Sequence, residues 1–136
     1  PLIKPTATEI GWTRDAFRDL LAIRASSTLF RLRSADDVKA RLSFRNTGSG
    51  QVPTVLAGHL DGNGYPGANF RELLYLVNVD RVAQTLMLDA DKGKAWALHP
   101  VHLSGADRRP ANDASYDGAT GRFVIPPRSA VVYVVN

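Results

Sequence analysis

Cysteine is absent from this sequence, and methionine occurs only once. Without cysteine the chain can form no disulfide, no thiolate nucleophile and no zinc–thiolate site. Long apolar runs are also missing, since no stretch approaches the roughly 18 residues that a membrane-spanning helix needs. These absences exclude several classes of redox, metal and membrane protein, but they leave the cellular compartment open.

Acidic residues are fewer than basic ones, 13 against 17, which gives a net charge of +4. A nucleic-acid-binding protein gathers such charge on one face or stripe and interleaves it with aromatic side chains. The arginines here are instead scattered from Arg14 to Arg128, with the densest group between Arg24 and Arg33. We therefore expect a solvated basic surface and no nucleic-acid partner.

The length of 136 residues suits one domain with a single core. The composition, 44% hydrophobic and 22% charged, is ordinary for a globular domain rather than a disordered one. The first residue is Pro1 and not methionine, which indicates a piece of a longer protein. Any signal peptide of that protein would lie outside this chain.

The N-terminal part shows the periodicity of a helix. Thr6 and Glu9 have the spacing of a capping box. Apolar residues then recur at helical spacing, and the predicted stripe consists of Ile10, Phe17, Leu20, Leu21 and either Trp12 or Ile23. The other face is predicted to carry Arg14, Asp15, Arg18 and Asp19. We predict a helix from about Thr13 to Ala25, with a shorter turn before it and a helical turn capped by Ser34 after it.

From Val38 onward the pattern changes to short strands separated by Gly-rich turns. Leu42 and Phe44 alternate with polar neighbours, so we expect both to point inward. Further strands are predicted at 52–60, 73–79, 83–88, 96–98, 122–125 and 129–135, with a hairpin loop at 117–121. This spacing predicts a mainly β fold: an antiparallel β-sandwich of Greek-key type preceded by an N-terminal α-helical segment.

Two of these strands, 73–79 and 130–135, are apolar at both parities. A strand with one wet face would alternate, so something must cover both faces of each. The helical segment could supply part of this cover. We expect the remainder to come from a neighbouring domain.

No group of residues suggests catalysis by this chain alone. A glycosidase needs two carboxyl groups about 5 to 10 Å apart on rigid elements. Most of the aspartates lie in turns, where carboxylates usually bond to backbone amides, and Glu9 and Glu72 fall at a helix start and a loop end. Neither Ser26 nor Ser27 lies in a G-x-S-x-G elbow. We assign no catalytic residue.

His99 and His102 resemble a metal-binding pair. Pro100 between them argues against a regular helix, and in a strand residues three apart point to opposite faces. We therefore predict structural roles for both histidines.

Asp61, Asn63 and Glu72 occupy positions 1, 3 and 12 of a calcium-loop pattern. Pro66, however, stands where that loop needs glycine, and the flanking segments are strands. We predict no metal site and no cofactor.

Aromatic side chains could stack on sugar rings. The candidates are Trp12, Tyr65, Trp96 and Tyr116, and a carbohydrate-binding module would need two or three of them on one exposed face. Nothing in their spacing shows that they converge. Trp96 lies on an apolar strand and is expected to fill the core.

Four stretches identify a family. They are residues 20–32 with the pattern L-L-A-I-R-x-S-S-x-L-F-R-L, residues 76–78 (L-V-N), residues 96–101 (W-A-L-H-P-V) and residues 125–131 (I-P-P-R-S-A-V). In this order they resemble the carboxyl-terminal part of a pullulanase-type alpha-1,6-glucosidase of the alpha-amylase superfamily. The resemblance runs from about Pro5 to Asn136. The sequence departs from the family pattern at Thr28, where the resemblance implies proline.

The resemblance implies residues 1–33 as the end of a catalytic TIM barrel and residues 34–136 as a carboxyl-terminal β-sandwich domain. The catalytic carboxylates of such enzymes lie in the barrel, so none is carried over here. The implied function is that of a noncatalytic domain of a starch-debranching hydrolase that cleaves alpha-1,6 links in pullulan or similar glucans. This domain would pack on the barrel and stabilise it. The alternative is a glucan-binding module that tethers substrate.

The expected partner is the catalytic barrel of the same parent chain, with alpha-glucan or a second copy of the N-terminal helix as further possibilities. A secreted or cell-surface bacterial enzyme is favoured, although the compartment is open. Five large side chains, namely Phe17, Leu20, Leu21, Leu29 and Phe30, give the junction more apolar surface than a lone surface helix shows. We expect part of this surface to face the barrel.

Overall fold

The computed structural model of the chain describes residues 3–136. The α-helices in this range are α1 (Ala7–Ala25), α2 (Ala35–Arg41), α3 (Pro100–Ser104) and α4 (Arg109–Asp113), with 3-10 turns at Thr28–Arg31 and Asp89–Asp91. The strands are β1 (Leu42–Phe44), β2 (Val55–Asp61), β3 (Glu72–Asn78), β4 (Gln84–Met87), β5 (Ala97–Leu98), β6 (Ser115–Asp117), β7 (Arg122–Ile125) and β8 (Ser129–Val135). None of these helices is long and apolar enough to cross a membrane.

The strands form two antiparallel sheets. The five-stranded sheet has the order β1-β2-β3-β8-β5, and the three-stranded sheet has the order β4-β7-β6. All six strand pairings in the described residues are antiparallel. The predicted fold class, an antiparallel sandwich preceded by a helical segment, is confirmed.

One face of the five-stranded sheet, here called the inner face, packs against the three-stranded sheet. Leu74 and Leu76 of β3 lie on this face beside Val131 of β8, and all three are fully buried. Phe123 of β7 meets them from the other sheet. Trp96 is 7% exposed and belongs to the same core, as predicted.

The opposite face of the five-stranded sheet, the outer face, packs against the helical segment. Leu60, Leu73, Val132 and Val134 form a second core cluster with Ile23 of α1. Because β3 and β8 have apolar contacts on both faces, their side chains are apolar at both parities. The prediction that the helical segment supplies part of the cover is confirmed.

Helix α1 begins earlier than predicted. The capping box is present, since the Thr6 side chain accepts a hydrogen bond from the Glu9 backbone and the Glu9 carboxylate accepts one from the Thr6 backbone. The helix then continues through Gly11 as one element, Ala7–Ala25, so the predicted start near Thr13 is wrong. Glycine inside a helix costs only about 1 kcal/mol, which the cap and the packed part of α1 offset.

Two further predictions are wrong. Pro100 was expected to exclude a helix after His99, but it occupies the first turn of α3, where a missing backbone N–H costs nothing. Phe44 was expected to point inward, but it is half exposed on the outer face at the edge strand β1. Ser34 caps α2 as predicted, with its hydroxyl accepting from the Asp37 backbone.

Candidate functional site: the outer side of the N-terminal helix

One side of α1 is fixed to the sandwich. The Trp12 indole N–H donates to the backbone carbonyl of Ala106 at 3.1 Å, and the Asp19 carboxylate accepts from the backbone N–H of Ala106 at 2.6 Å. Ile23 is buried in the core of the outer face. Trp12, Asp19 and Ile23 therefore mark the inward side of the helix, although Asp19 was expected on the solvent side.

The opposite side of α1 carries the predicted apolar stripe. Ile10, Phe17 and Leu21 repeat with seven- and four-residue steps, which places them on one line of the helix. Phe17 is 60% exposed and Leu21 is 47% exposed. Leu20 lies at the side of this line and is also exposed. We call Ile10, Phe17, Leu20 and Leu21 the helix stripe.

The five junction side chains thus divide into two groups. Phe17, Leu20 and Leu21 are exposed, Phe30 is half-buried, and Leu29 is 1% exposed in the core of the outer face. Leu29 therefore belongs to the sandwich itself. Three large side chains remain available for another surface.

Thr28 explains how this chain tolerates its departure from the expected proline. Its backbone N–H donates to the carbonyl of Gly67 at 3.0 Å, and its hydroxyl donates to the carbonyl of Pro66 at 2.7 Å. A proline has no N–H and no hydroxyl, so it could make neither bond. Both bonds fix the 3-10 turn to the loop between β2 and β3.

A cleft of about 260 Å³ lies beside the helix stripe. Trp12, Phe17 and Leu20 line one side of it, and Asp107 and Arg109 line the other. The two charged side chains pair with each other at 2.7 Å, and the Arg109 guanidinium lies 5.7 Å from the centre of the Trp12 ring. Protein groups thus already occupy one face and the N–H of this indole.

The other aromatic candidates are also engaged by the protein. The Tyr65 ring stacks under the Arg41 guanidinium at 4.6 Å. Tyr116 stacks on Phe123, and its hydroxyl donates to the backbone carbonyls of Asp91 and Lys94. Trp96 lies in the core, as described above. The structure therefore gives these rings packing roles.

The two glutamates lack the electrostatics of a glycosidase acid. Burial raises the pKa of Glu72, but hydrogen bonds from Lys94 and His59 outweigh it and hold that pKa below its ordinary value. For Glu9, the hydrogen bond from the Thr6 backbone lowers the pKa. A general acid needs the opposite shift, a raised pKa. Neither glutamate is poised for that role.

His99 and His102 form part of the scaffold under α1. His99 Nδ1 accepts from the backbone of Val101, and its Nε2 lies 3.0 Å from the Ser26 hydroxyl. His102 Nε2 accepts from the backbone N–H of Val132 at 3.1 Å. Burial lowers the pKa of His102 to about 4, so its ring is neutral at pH 7. Three of the four ring nitrogens of this pair thus already have protein partners.

A buried group of polar side chains lies outside all the sites predicted from the sequence. Ligand atoms of His59, Glu72 and Asp91 lie within 4.8 Å of one another. Asp91 also pairs with Arg45 at 3.1 Å and with Lys94 at 3.3 Å, and Lys94 bonds to Glu72 as well. Two cations thus balance two carboxylates, and burial lowers the pKa of His59, which keeps its ring neutral.

This balanced network joins three separate elements of the sandwich. His59 comes from β2, Glu72 from β3, and Asp91 from the second 3-10 turn. A metal ion would have to displace Lys94, so we interpret the network as a structural ion cluster. No local spacing could have found it, because its members meet only after the sheet forms.

The calcium-like loop holds the guanidinium of Arg41 where a calcium loop would hold its metal ion. Arg41 donates to the backbone carbonyls of Asp61 and Asn63, both at 3.0 Å. The Asp61 carboxylate accepts from the backbone of Asn63 at 2.9 Å. Glu72, at the twelfth position of the calcium-loop pattern, bonds to His59 at 2.7 Å and to Lys94. Its carboxylate therefore already has two protein partners.

Comparison with known families accounts for the helix and the sandwich together. The sequence model described as "Alpha-1,6-glucosidases, pullulanase-type, C-terminal" matches residues 1–136. The chain belongs to this family. The resemblance expected from the four sequence stretches is confirmed.

Two curated pullulanases are similar to this pullulanase-type domain. Pullulanase 1, chloroplastic, from Arabidopsis thaliana is 33% identical over an alignment 141 residues long, which covers 98% of this chain and 14% of that protein. Pullulanase from Klebsiella pneumoniae is 26% identical over 130 residues, which cover 94% of this chain and 12% of that protein. The chain therefore spans only about one-seventh of the length of these relatives or less.

Solved structures share the fold of the domain. PulA from Klebsiella oxytoca matches with a TM-score of 0.81 at 24% identity, over 96% of this chain and 12% of that one. The maltotriose complex of PulA from Klebsiella pneumoniae matches with a TM-score of 0.82 at 24% identity, over 96% of this chain and 14% of that one. The helical segment thus belongs to the shared fold together with the sandwich.

Proposed function

We propose that this chain is the noncatalytic C-terminal domain of a pullulanase-type debranching hydrolase and that it packs on, and stabilises, the catalytic barrel of the same longer protein. In this proposal residues 1–33 complete the barrel and also pack, through Ile23 and Leu29, on the sandwich domain of residues 34–136. The longer protein would cleave alpha-1,6-glucosidic bonds in pullulan or starch-like glucans. The chain by itself would not hydrolyse them.

The helix stripe is the observation that carries the proposal. Ile10, Phe17 and Leu21 are exposed on the side of α1 opposite Asp19 and Ile23, which hold the helix to the sandwich, and Leu20 is exposed at the edge of that side. A helix that only covered the sandwich would have polar residues there. Contiguous exposed apolar surface marks an interaction site.

The energetic scale supports a stabilising role. Burying each large apolar side chain of the stripe is worth about 1.5 to 3 kcal/mol. Several such side chains together approach the whole stability of a typical domain, about 5 to 15 kcal/mol. Docking through the stripe would therefore stabilise both this domain and its partner.

The experiment compares Leu21→Asp with Met87→Asp in the full-length protein and in the 136-residue chain. Met87 is exposed on β4 in the three-stranded sheet, away from the stripe. We expect Leu21→Asp to lower the melting temperature and debranching activity of the full-length protein while the isolated chain keeps its sheet signal in circular dichroism. Met87→Asp should change neither. Equal melting temperatures for the Leu21→Asp and unsubstituted full-length proteins would contradict the proposal.

The glucan-binding alternative rests on the cleft beside Trp12. It predicts saturable binding of maltooligosaccharides to the isolated chain and loss of that binding in Trp12→Ala without unfolding. Our proposal predicts no change in tryptophan fluorescence on addition of these sugars. Self-association through the stripe would appear as a dimer of the isolated chain that Leu21→Asp dissociates.

A further inference from the structure

Asp91 is the fully buried carboxylate of the ion network, and its two oxygens have different surroundings. Oδ2 accepts a hydrogen bond from the Arg45 guanidinium at 3.1 Å. Oδ1 accepts no hydrogen bond, although the Lys94 ammonium lies 3.3 Å from it. Because a buried carboxylate oxygen without a bonded partner is costly, Oδ1 has the capacity to bind a cation more closely.

Glu72 shares the same ammonium with Asp91. Lys94 donates to Glu72 Oε2, and His59 Nε2 lies 2.7 Å from that oxygen. Donor atoms of His59, Glu72 and Asp91 come within 4.8 Å of one another. The Lys94 ammonium thus occupies the place where two carboxylates converge beside an imidazole.

One imidazole and two carboxylates are also a set of ligands for a divalent metal ion. Zn²⁺ binds such nitrogen and oxygen atoms at about 2.0 to 2.2 Å, so two of its ligand atoms lie at most about 4.4 Å apart. Small rotations of the three side chains would bring their donor atoms to this spacing. A fourth position would remain for water, as in other sites with three protein ligands.

The neighbouring side chains orient these ligands as the surroundings of a metal site do. Arg45 holds Oδ2 of Asp91, which leaves Oδ1 on the side of Lys94. The Ser43 hydroxyl lies 3.5 Å from His59 Nδ1, so the ring can carry its proton on Nδ1 and leave Nε2 free for a metal. Burial lowers the pKa of His59, which keeps the ring in the neutral form that metals bind.

Ions and water have a route to this group. A cleft of about 330 Å³ is lined by His59 and Glu72, together with polar side chains of the loop after β2 and of Arg71. The Lys94 side chain is itself 28% exposed. A hydrated ion could therefore reach the carboxylates without unfolding of the sandwich.

We propose that the Lys94 ammonium stands in the place of a structural divalent metal ion, and that His59, Glu72 and Asp91 become a metal site when this ammonium is removed. A structural metal would join the same elements that the ammonium joins, namely β2, β3 and the second 3-10 turn. In the unsubstituted chain the ammonium excludes the metal, because both need the same carboxylate oxygens and the tethered group has a high effective concentration. All these side chains belong to this chain, so the site does not depend on the partner of α1.

Lys94→Met tests the proposal, because methionine fills the space of the lysine stem and lacks the ammonium. Lys92→Met is the matched control, since Lys92 is exposed and lies two residues away. The chelator-treated 136-residue chains are titrated with CoCl₂, and binding is followed by the visible absorption of Co²⁺. We expect Lys94→Met to bind one Co²⁺ about 100-fold or more tightly than the unsubstituted chain and the Lys92→Met variant.

A double variant, Lys94→Met with His59→Gln, identifies the ligands. Loss of the imidazole should weaken Co²⁺ binding by about tenfold or more. The Trp96 ring centre lies 5.5 Å from Lys94 Nζ, so paramagnetic Co²⁺ at the site should also quench Trp96 fluorescence. Zn²⁺, which has a filled d shell, should displace Co²⁺ and restore the fluorescence.

Two outcomes of these titrations would overturn the proposal. One is equal Co²⁺ affinity of the unsubstituted chain and Lys94→Met, whether both bind the ion or neither does. The other is undiminished affinity in the double variant, since the ion would then occupy a different site.

Urea unfolding keeps the test decisive if Lys94→Met folds poorly without metal. Removal of the ammonium leaves two carboxylates without their cation, so the variant should be less stable than the unsubstituted chain. Zn²⁺ that binds only the folded state should raise its unfolding midpoint in proportion to the logarithm of the metal concentration. Lys94→Ala, which leaves more room for the ion, should behave in the same way. No rise of the midpoint in either variant, or an equal rise in Lys92→Met, would overturn the proposal.

Discussion

The two faces of the five-stranded sheet have similar side chains but different surroundings. On the inner face, Leu74, Leu76 and Val131 are fully buried against the three-stranded sheet. On the outer face, Leu60 and Leu73 are buried, while Leu56 and Phe44 stay half exposed. The difference shows that one apolar face of a sheet can be fully covered by the chain while the other face is covered only in part.

The two covers also differ in how they are attached. The three-stranded sheet contacts the inner face through a continuous apolar core that includes Phe123 and Ile125. Helix α1 contacts the outer face through Ile23. It is also bonded to Ala106 in the loop after α3: the Trp12 indole N–H donates to the Ala106 carbonyl, and the Asp19 carboxylate accepts from the Ala106 N–H. We therefore expect the inner core to dominate the stability of the isolated chain and the outer cover to be more sensitive to single polar changes.

The largest expected effect is the contrast between Leu76→Ala and Leu56→Ala. Leu76 is fully buried on the inner face, and its truncation should reduce the free energy of unfolding by about 2 to 5 kcal/mol because it leaves a cavity. Leu56 is half exposed, so the same truncation should cost less than about 0.5 kcal/mol. Urea unfolding of the isolated chain, followed by circular dichroism, measures both. Similar costs at the two positions would show that the outer face is as well covered as the inner one.

The next expected effect is a loss of stability in acid that depends on His102. Burial lowers the pKa of His102 to about 4 in the folded chain, against about 6.5 when unfolded, so the unfolded chain binds the proton more tightly. The stability that this neutral histidine contributes is complete above pH 6.5 and is lost as the pH falls toward 4, by up to about 3 kcal/mol.

His102→Gln tests this pH dependence, since a glutamine oxygen can still accept the hydrogen bond from Val132 but does not titrate. The variant should lose less stability between pH 7 and pH 4 than the unsubstituted chain, in urea unfolding at each pH. If both lose the same amount, another group accounts for the acid sensitivity of the outer cover.

The smallest expected effect concerns the bond that holds α1 in place. Asp19→Ala removes a hydrogen bond to the backbone of Ala106 and should cost about 1 to 3 kcal/mol, as expected for a charged acceptor. Asp15→Ala is the matched control, because Asp15 pairs with the exposed Arg14 on the same helix. We expect no measurable change for the control. Equal unfolding free energies for the two variants would show that the Asp19 bond does not fix the helix.

Much of the fold could be read from local patterns. The capping box at Thr6 and Glu9, the cap at Ser34 and the hairpin at 117–121 all form where their short-range chemistry predicts. The strands β3 and β8 were found because apolar runs at both parities are a local signal. The family was also predicted, from four short stretches that occur in the expected order.

Other features could not be read from local patterns. Phe44 alternates with polar neighbours like any inward residue, but the register with Gly58 places it on the outer face, where it is half exposed. Pro100 starts α3 because His99 precedes it as a cap, which a rule against proline in helices does not capture. The short strand β6 and the helix α4 lack any apolar periodicity of their own.

Short-range patterns account for the helices, caps and turns, which depend on neighbours three or four positions away, and for the apolar character of both faces of β3 and β8. Long-range contacts account for the side of α1 that the sandwich holds and for the part of the outer face that stays exposed. They also bring His59, Glu72 and Asp91 together with Lys94 in one ion network. Periodicity fixes which residues share a face. The partner of that face depends on contacts between residues far apart in the chain, and these exist only once the sheet has closed.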